Sequence, residues 1–359
     1  MANQQNSKNE NQGGGFSLLG LFRRPEAGAA AGFILIFLFF GYFGWDKNFL
    51  TALGSSTWLN FASKVGIIAI PIGFLMIAGE LDISVGALIP AGGIVLAIAV
   101  GLYGMNYWVG AALSMAVAGG IGFLNGLLVT RTKVPSLIVT LATLFVIAGL
   151  NAYVSKQLAG TTQHSLQDIG PVSEFLMGDY HTLILGEGES ATTIFRSLQS
   201  SFFIWIFVAI VCFYILHISP WGNWIFAMGG DQESARNAGI PTNRLKIALF
   251  MLSAMAAALV GMTEATLANT ASTTTQFGMI FNSIICVVVG GVLLTGGFGT
   301  VTGTVFGTLT FGIVFQGINF TTFDKDLNML FIGVLLLVAV LMNDTFRQIA
   351  TNASTNKKK

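Results

Sequence analysis

Charge is what this sequence has least of. Only 9% of its 359 residues are Asp, Glu, Lys or Arg, against roughly 25% in an ordinary soluble domain. With 53% hydrophobic residues and a mean hydropathy of +0.74, that scarcity excludes a soluble fold of this size. Cysteine is nearly absent as well. Cys212 and Cys286 both fall in apolar stretches, which excludes a disulfide framework and leaves them as packing residues. Neither GxxxxGK[ST] nor HExxH occurs, and His164, His181 and His217 are dispersed and read as solvated or isolated. A nucleotide-cradling loop and a zinc site are therefore both missing, and no cofactor, metal or catalytic residue is expected. No basic run interleaved with aromatics points to nucleic acid, and Lys357 to Lys359 read as charge at a membrane surface or in water. The polar, Asn/Gln/Gly-rich start has no charged segment followed by a cleavage site, so residues 1–26 read as a disordered cytoplasmic tail.

A stretch that crosses ~30 Å of hydrocarbon needs about 20 apolar residues, so the gaps between charges delimit the spans. Glu26 to Asp46 leaves 19 uncharged residues, enough for one. Lys64 to Glu80 leaves 15, which suffices if Lys64 sits near an interface with its stem drawn in beside Trp58. Asp82 to Arg131 leaves 48, two spans turning at Tyr103 to Asn106. Lys133 to Lys156, Arg196 to Asp231 and Lys246 to Glu264 give one each. Glu264 to Asp324 gives two in 59 residues, with the polar run Ala268 to Gly278 among them, and Asp326 to Asp344 gives the last in 17. The predicted fold is all-α, a polytopic membrane bundle of about ten helices within residues 27–346. Both termini then share one side. If that side is cytoplasmic, it holds 12 of the 17 Lys and Arg residues, including the basic tail 347–359, as the positive-inside rule requires.

Glycine is the abundant residue. Among its 44 copies, Gly119, Gly120, Gly122 and Gly126, and again Gly299, Gly303 and Gly307, make small-xxx-small faces on which membrane helices approach closely. Sliding the chain by 217 residues superposes Gly73 on Gly290, Gly79 on Gly296 and Gly86 on Gly303, a weak trace of an internal repeat. Two polar segments exceed a simple turn: residues 155–201, predicted external, and 219–246, predicted cytoplasmic. In the second, Asp231 is placed to cap a short helix over Gln232 to Asn237 with Ser234 and Ala235 on its surface, framed by Gly230 and by Gly239, Ile240 and Pro241.

Polar residues inside an apolar bundle are costly and mark either pathways or structural contacts. Glu80 and Asp82, in the glycine-flanked run Ala78 to Gly86, are either a gate or a turn in which Asp82 caps the next helix through Ser84. Glu264 precedes a hydroxyl- and amide-rich run ending near Asn282, which either lines a vestibule for a polar uncharged solute or is a wetted loop. Asn125 and Gln316 are either pathway contacts or interhelical hydrogen bonds.

Taken together, these segments resemble the ribose/xylose/galactose class of ABC importer permeases, a family that also contains branched-chain amino acid permeases. Ala78 to Gly86 looks like its GG-x-DLSVG motif, and Asn125 to Arg131 with Val134-Pro135 and Thr140 to Thr143 is similar to its NGxLV...VPxFIxTLxT segment. Gly229 to Ile240 resembles its GGNxxAAxxAGI loop, and Gly290-Gly291, Gly296-Gly297, Gly299, Gly303-Thr304 and Gly307 follow its glycine pattern. Glu80 stands where the family usually has Gly, Val292 and Leu293 replace Thr-Ser, and Ile280 and Asn282 replace acids.

The resemblance implies a permease moving a monosaccharide or similar small polar solute across the bacterial inner membrane by alternating access. It implies a separate ATPase subunit that receives the loop carrying Gly230, Asp231, Glu233, Ala235, Arg236, Gly239 and Ile240. It further implies an extracytoplasmic solute-binding protein and a second permease copy, in contact with membrane lipid. An ion-coupled secondary carrier working through Glu80, Asp82 or Glu264 is the alternative.

Overall fold

The computed structural model describes residues 25–166, 169–185 and 192–339. The predicted basic tail and nearly all of the predicted N-terminal tail lie outside these, as do Asp168, Glu187 and Glu189 of the predicted external segment.

The fold is an all-α bundle. Its long helices are α1 (Pro25–Phe43), α2 (Ala52–Ile77), α3 (Val85–Ala97, continued by a π turn Ile98–Leu102), α4 (Tyr107–Arg131) and α5 (Ser136–Ala159). A short α6 (Pro171–Met177) precedes α7 (Ser200–Phe213, continued by a π turn Tyr214–Ile218). Then come α8 (Pro220–Gly230), α9 (Gln232–Asn237), α10 (Thr242–Ala268), α11 (Phe277–Val289) and α12 (Val301–Gly317). A last helix, α13, is described over 328–339. Local chemistry sets many of the starts: Thr51, Asn106, Ser219 and Thr300 each accept a backbone N–H of the first turn they cap.

Among the described residues, eight helices are long and apolar enough to cross a membrane. The eighth predicted span departs from this. Helix α11 has only 13 residues, or about 20 Å at 1.5 Å per residue, well short of the hydrocarbon thickness. It begins inside the bundle because the polar run before it folds inward: the Gln276 amide donates to the Gly86 carbonyl at 2.9 Å. Lys64 also departs from the expectation of a span that starts beside it, since α2 begins twelve residues earlier, at Ala52.

Helices α2, α3, α10 and α12 form the buried centre, while α1, α4, α5 and α7 leave wide apolar faces exposed, including Leu35, Leu124, Phe145 and Phe207. The glycine faces set the close contacts. A Cβ on Gly122 or Gly126 would stand 2.5 Å from the Phe250 carbonyl or 2.6 Å from the Ile247 Cα, so α4 lies directly on the backbone of α10.

Outside the long helices, β1 (Gln163–Ser165) pairs with β4 (Thr270–Ser272), and β2 (Tyr180–Leu185) with β3 (Thr192–Gln199), both antiparallel. Two of the histidines read as solvated are instead engaged. His164 is buried and hydrogen-bonded to Ser155, and His181 meets the Ser200 hydroxyl at 3.1 Å. Burial holds the His164 imidazole below its ordinary pKa, in its neutral form at pH 7. Both cysteines are buried and free.

Candidate transport and coupling site

Helix α9 is six residues long and depends on its ends. Asp231 accepts the Ser234 amide at 2.7 Å, and that bond, with the Ser234 hydroxyl, holds its exposed carboxyl below the usual carboxylate range. After the helix, the Ile240 amide returns to the Ala235 carbonyl at 3.1 Å, and Gly239 closes the turn at a φ of +86°. Glu233, Ser234, Arg236 and Asn237 face outward. Ala235 does not. It is 4% exposed and anchors α9 on the bundle, so its expected surface position is corrected: an alanine on a one-turn amphipathic helix is small and apolar enough to be its buried side.

Two connections tie α9 to the interior. Gln232 Oε1 accepts from Lys246 Nζ at 2.8 Å, and the same ammonium forms a buried ion pair with Glu80. On the other side, the end of α8 meets both breaks in the bundle. A Cβ on Gly229 would overlap the Ile77 carbonyl, that carbonyl accepts the Gly297 amide at 2.7 Å, and Gly296 packs on Gly79. Gly79 and Gly296 each turn at a φ of +81°, a conformation for which glycine is the default residue.

Between α2 and α3, residues 80–83 have no regular secondary structure, and the Leu81 and Ile83 amides need partners from outside their own helices. Helix α5 provides them: Ser136 accepts the Leu81 amide at 3.1 Å and Thr140 the Ile83 amide at 3.3 Å. Asp82 takes the Ser84 amide and hydroxyl at 2.9 and 2.6 Å on one carboxylate oxygen. The Ser84 hydroxyl accepts from Asn125 on α4 at 3.0 Å, and Asn125 accepts from Thr143 on α5 at 2.6 Å. Ser253 on α10 lies beside the carboxyl group; the second Asp82 oxygen and the Ser253 hydroxyl are buried without a hydrogen-bond partner. Asp82 thus serves the turn and the polar network at once.

A third cluster sits toward the far end of α10. Gln276 donates to Glu264 at 2.8 Å, and Lys64 approaches the same carboxylate at 3.8 Å. Among the described residues, Asn282 and Gln316 join none of these clusters by a hydrogen bond; the Gln316 side chain accepts from Asn319 at 3.3 Å. Among the described residues, no group of His, Cys, Asp and Glu is placed to hold a metal ion.

The family model described as "Branched-chain amino acid transport system / permease component" matches residues 54–340, which include all but the first two residues of α2, the helices α3 to α12 and all three clusters. The chain belongs to this permease family. It is 30% identical to the L-arabinose ABC transporter permease protein AraH of Azospirillum brasilense over 84% of this chain and 82% of that one. Identity is 29% to the fructose import permease protein FrcC of Rhizobium meliloti, over 84% and 81% of the two chains. It is 28% to the ribose import permease protein RbsC of Escherichia coli K12, over 83% and 88%. No solved structure matches significantly. The protein is accordingly a multi-pass permease component of an ABC importer in the bacterial inner membrane and not an enzyme, with nucleotide hydrolysis on a separate subunit. Membership also implies an ATPase and a binding protein as partners.

Several residues of the permease site carried readable signals that charge counting passed over. Ser136, Thr140 and Thr143 recur at helical spacing on one side of an otherwise apolar α5. Lys246 was legible as an isolated cation near the same end of the bundle as Glu80, but 166 residues separate the two and only packing pairs them.

Proposed function

We propose that this permease carries a monosaccharide or similar small polar solute by alternating access, powered by a separate ATPase that docks on the loop 219–246. The observation that carries the reading is the construction of α9: a capped helix presents Glu233, Ser234 and Arg236 outward, while its first residue, Gln232, reaches one break through Lys246 and the adjoining end of α8 packs on both at Gly229. Closure of the ATPase pushes α9, and the breaks at 78–84 and 290–300 give way. A ligand or nucleotide shifts the equilibrium between the inward- and outward-open states only by its differential affinity for them.

The loop 219–246 and both tails are cytoplasmic in this reading, and the segment 155–201 faces the binding protein. Two copies of the permease surround the path. The uncharged donors and acceptors from Thr270 to Gln276 suit the hydroxyls of a sugar, and the printed substrates of the relatives, arabinose, fructose and ribose, favour a sugar for this chain too.

The test is reconstitution of the permease with its ATPase and binding protein in proteoliposomes, with D-ribose, L-arabinose and D-fructose offered in turn. Uptake of one of them that requires ATP on the α9 side is the expected result. Uptake that ignores ATP and collapses with a protonophore overturns it in favour of an ion-coupled carrier. Reversing the outward charges with Glu233→Arg and Arg236→Glu should abolish co-purification of the ATPase while the chain still inserts.

A further inference from the structure

We propose that Lys246 is a positioning residue that ties α9 to the break between α2 and α3, so that movement of the docking helix reaches the bundle interior through a Gln232–Lys246–Glu80 relay. This rests on the coupling role proposed for α9 and names the side chains that transmit it.

The geometry has three parts. Gln232 is the first residue of α9, and its side-chain oxygen takes one Lys246 N–H at 2.8 Å. Lys246 lies in the second turn of α10 with 7% of its side-chain surface exposed, and Glu80 keeps 11%. Glu80 is the first residue of the non-helical segment that leads, through Asp82, into the buried network on α4 and α5. A displacement of α9 therefore either breaks a hydrogen bond to an ammonium group or drags Lys246 with it. Because Lys246 is shielded from water, its charge holds to Glu80 and Gln232 more firmly than an exposed lysine would. Glu80 is the residue at which this chain departs from the glycine of the resembling motif, so the relay is a feature of this sequence and not a requirement of the fold.

The relay is separable from stability at Gln232, because Gln232→Ala cuts the tie while leaving the buried Glu80–Lys246 pair whole. The experiment compares amide exchange of residues 78–84 in the intact permease–ATPase complex with and without ATP plus vanadate. In the parent complex, trapping the closed ATPase should shift exchange across 78–84. Gln232→Ala should abolish that shift although the ATPase still co-purifies, and Gln232→Glu, which keeps an acceptor oxygen for Lys246, should restore it. A full shift in Gln232→Ala overturns the relay and assigns transmission to the glycine contacts of Gly229 with Ile77 and Gly297. If the parent permease does not hold the ATPase at all, the coupling role of α9 itself fails, a distinguishable result.

Discussion

Helix α10 makes an ion pair toward each end of the bundle, to Glu80 just past the end of α2 and to Lys64 within α2, and the two pairs are built differently. Lys246 and Glu80 are nearly dry, with 7% and 11% of their side-chain surfaces exposed. Lys64 and Glu264 stand 3.8 Å apart with 22% and 28% exposed. The two α10 residues are 18 positions apart, about 27 Å along the helix. The dry pair joins α10 to the break between α2 and α3, whereas the wet pair lies beside the polar run that leads into the bundle. A buried pair is costly to assemble and costlier to break, because removing one partner strands the other's charge. A partly wetted pair can be made and broken with little change in free energy. By this comparison the α9 end is a tight joint and the Glu264 end a yielding one.

The comparison breaks first at Lys246. Lys246→Ala should cost about 3–5 kcal/mol of stability, read as thermal unfolding in detergent, and Glu80→Met with Lys246→Met should recover most of that loss without recovering transport. Were Lys246→Ala no worse than Lys64→Ala, the distinction between the ends would fall. Next in size, Asn125→Ala removes two buried hydrogen bonds, the donor to Ser84 and the acceptor of the Thr143 hydroxyl, which keeps only the Val139 carbonyl at 3.1 Å; the cost is about 1–3 kcal/mol, checked by the same unfolding measurement. Asp231→Ala removes the cap of α9 and should show as faster exchange of the Ser234 amide.

The cap also has a pH signature. The Asp231 carboxyl is lowered by its Ser234 bonds, so its contribution is complete above the ordinary carboxylate pKa and is lost as pH falls through the lower folded value. Exchange at Ser234 should therefore be flat at neutral pH, once the intrinsic rate is divided out, and rise only below about pH 4. The smallest effect belongs to the wet pair: Lys64→Ala should shift stability by about 0–1 kcal/mol, because Gln276 still holds Glu264.

Much of the architecture was legible because a membrane leaves few choices. Charge gaps located α1, α4, α5, α7 and α10, and the cap at Asp231 with the flanking Gly230, Gly239 and Pro241 located α9. The gaps failed where polar residues run inside the bundle. Lys64 lies in the middle of α2 because Glu264 meets it there, and α11 is short because Gln276 finds the Gly86 carbonyl within the bundle. The β pairs of the segment 155–201 were not legible either, since β1 finds its partner in β4, more than a hundred residues away.

The sequence by itself determined that the chain is a membrane bundle, where most spans run, and that one short helix interrupts them, because hydrocarbon penalises every unpaired charge and backbone group regardless of what is packed nearby. The motif at residues 229–240 was also readable locally, since a cap and two glycines act within one turn. Only the tertiary structure decided what the isolated polar residues do. Whether Glu80 is a gate or a tether depends on the arrival of Lys246 from 166 residues away, and whether Asp82 faces water or a network depends on Ser84 together with Asn125 and Thr143 from two other helices. Pairing at such distances is set by which helix faces pack together, and no local spacing encodes it.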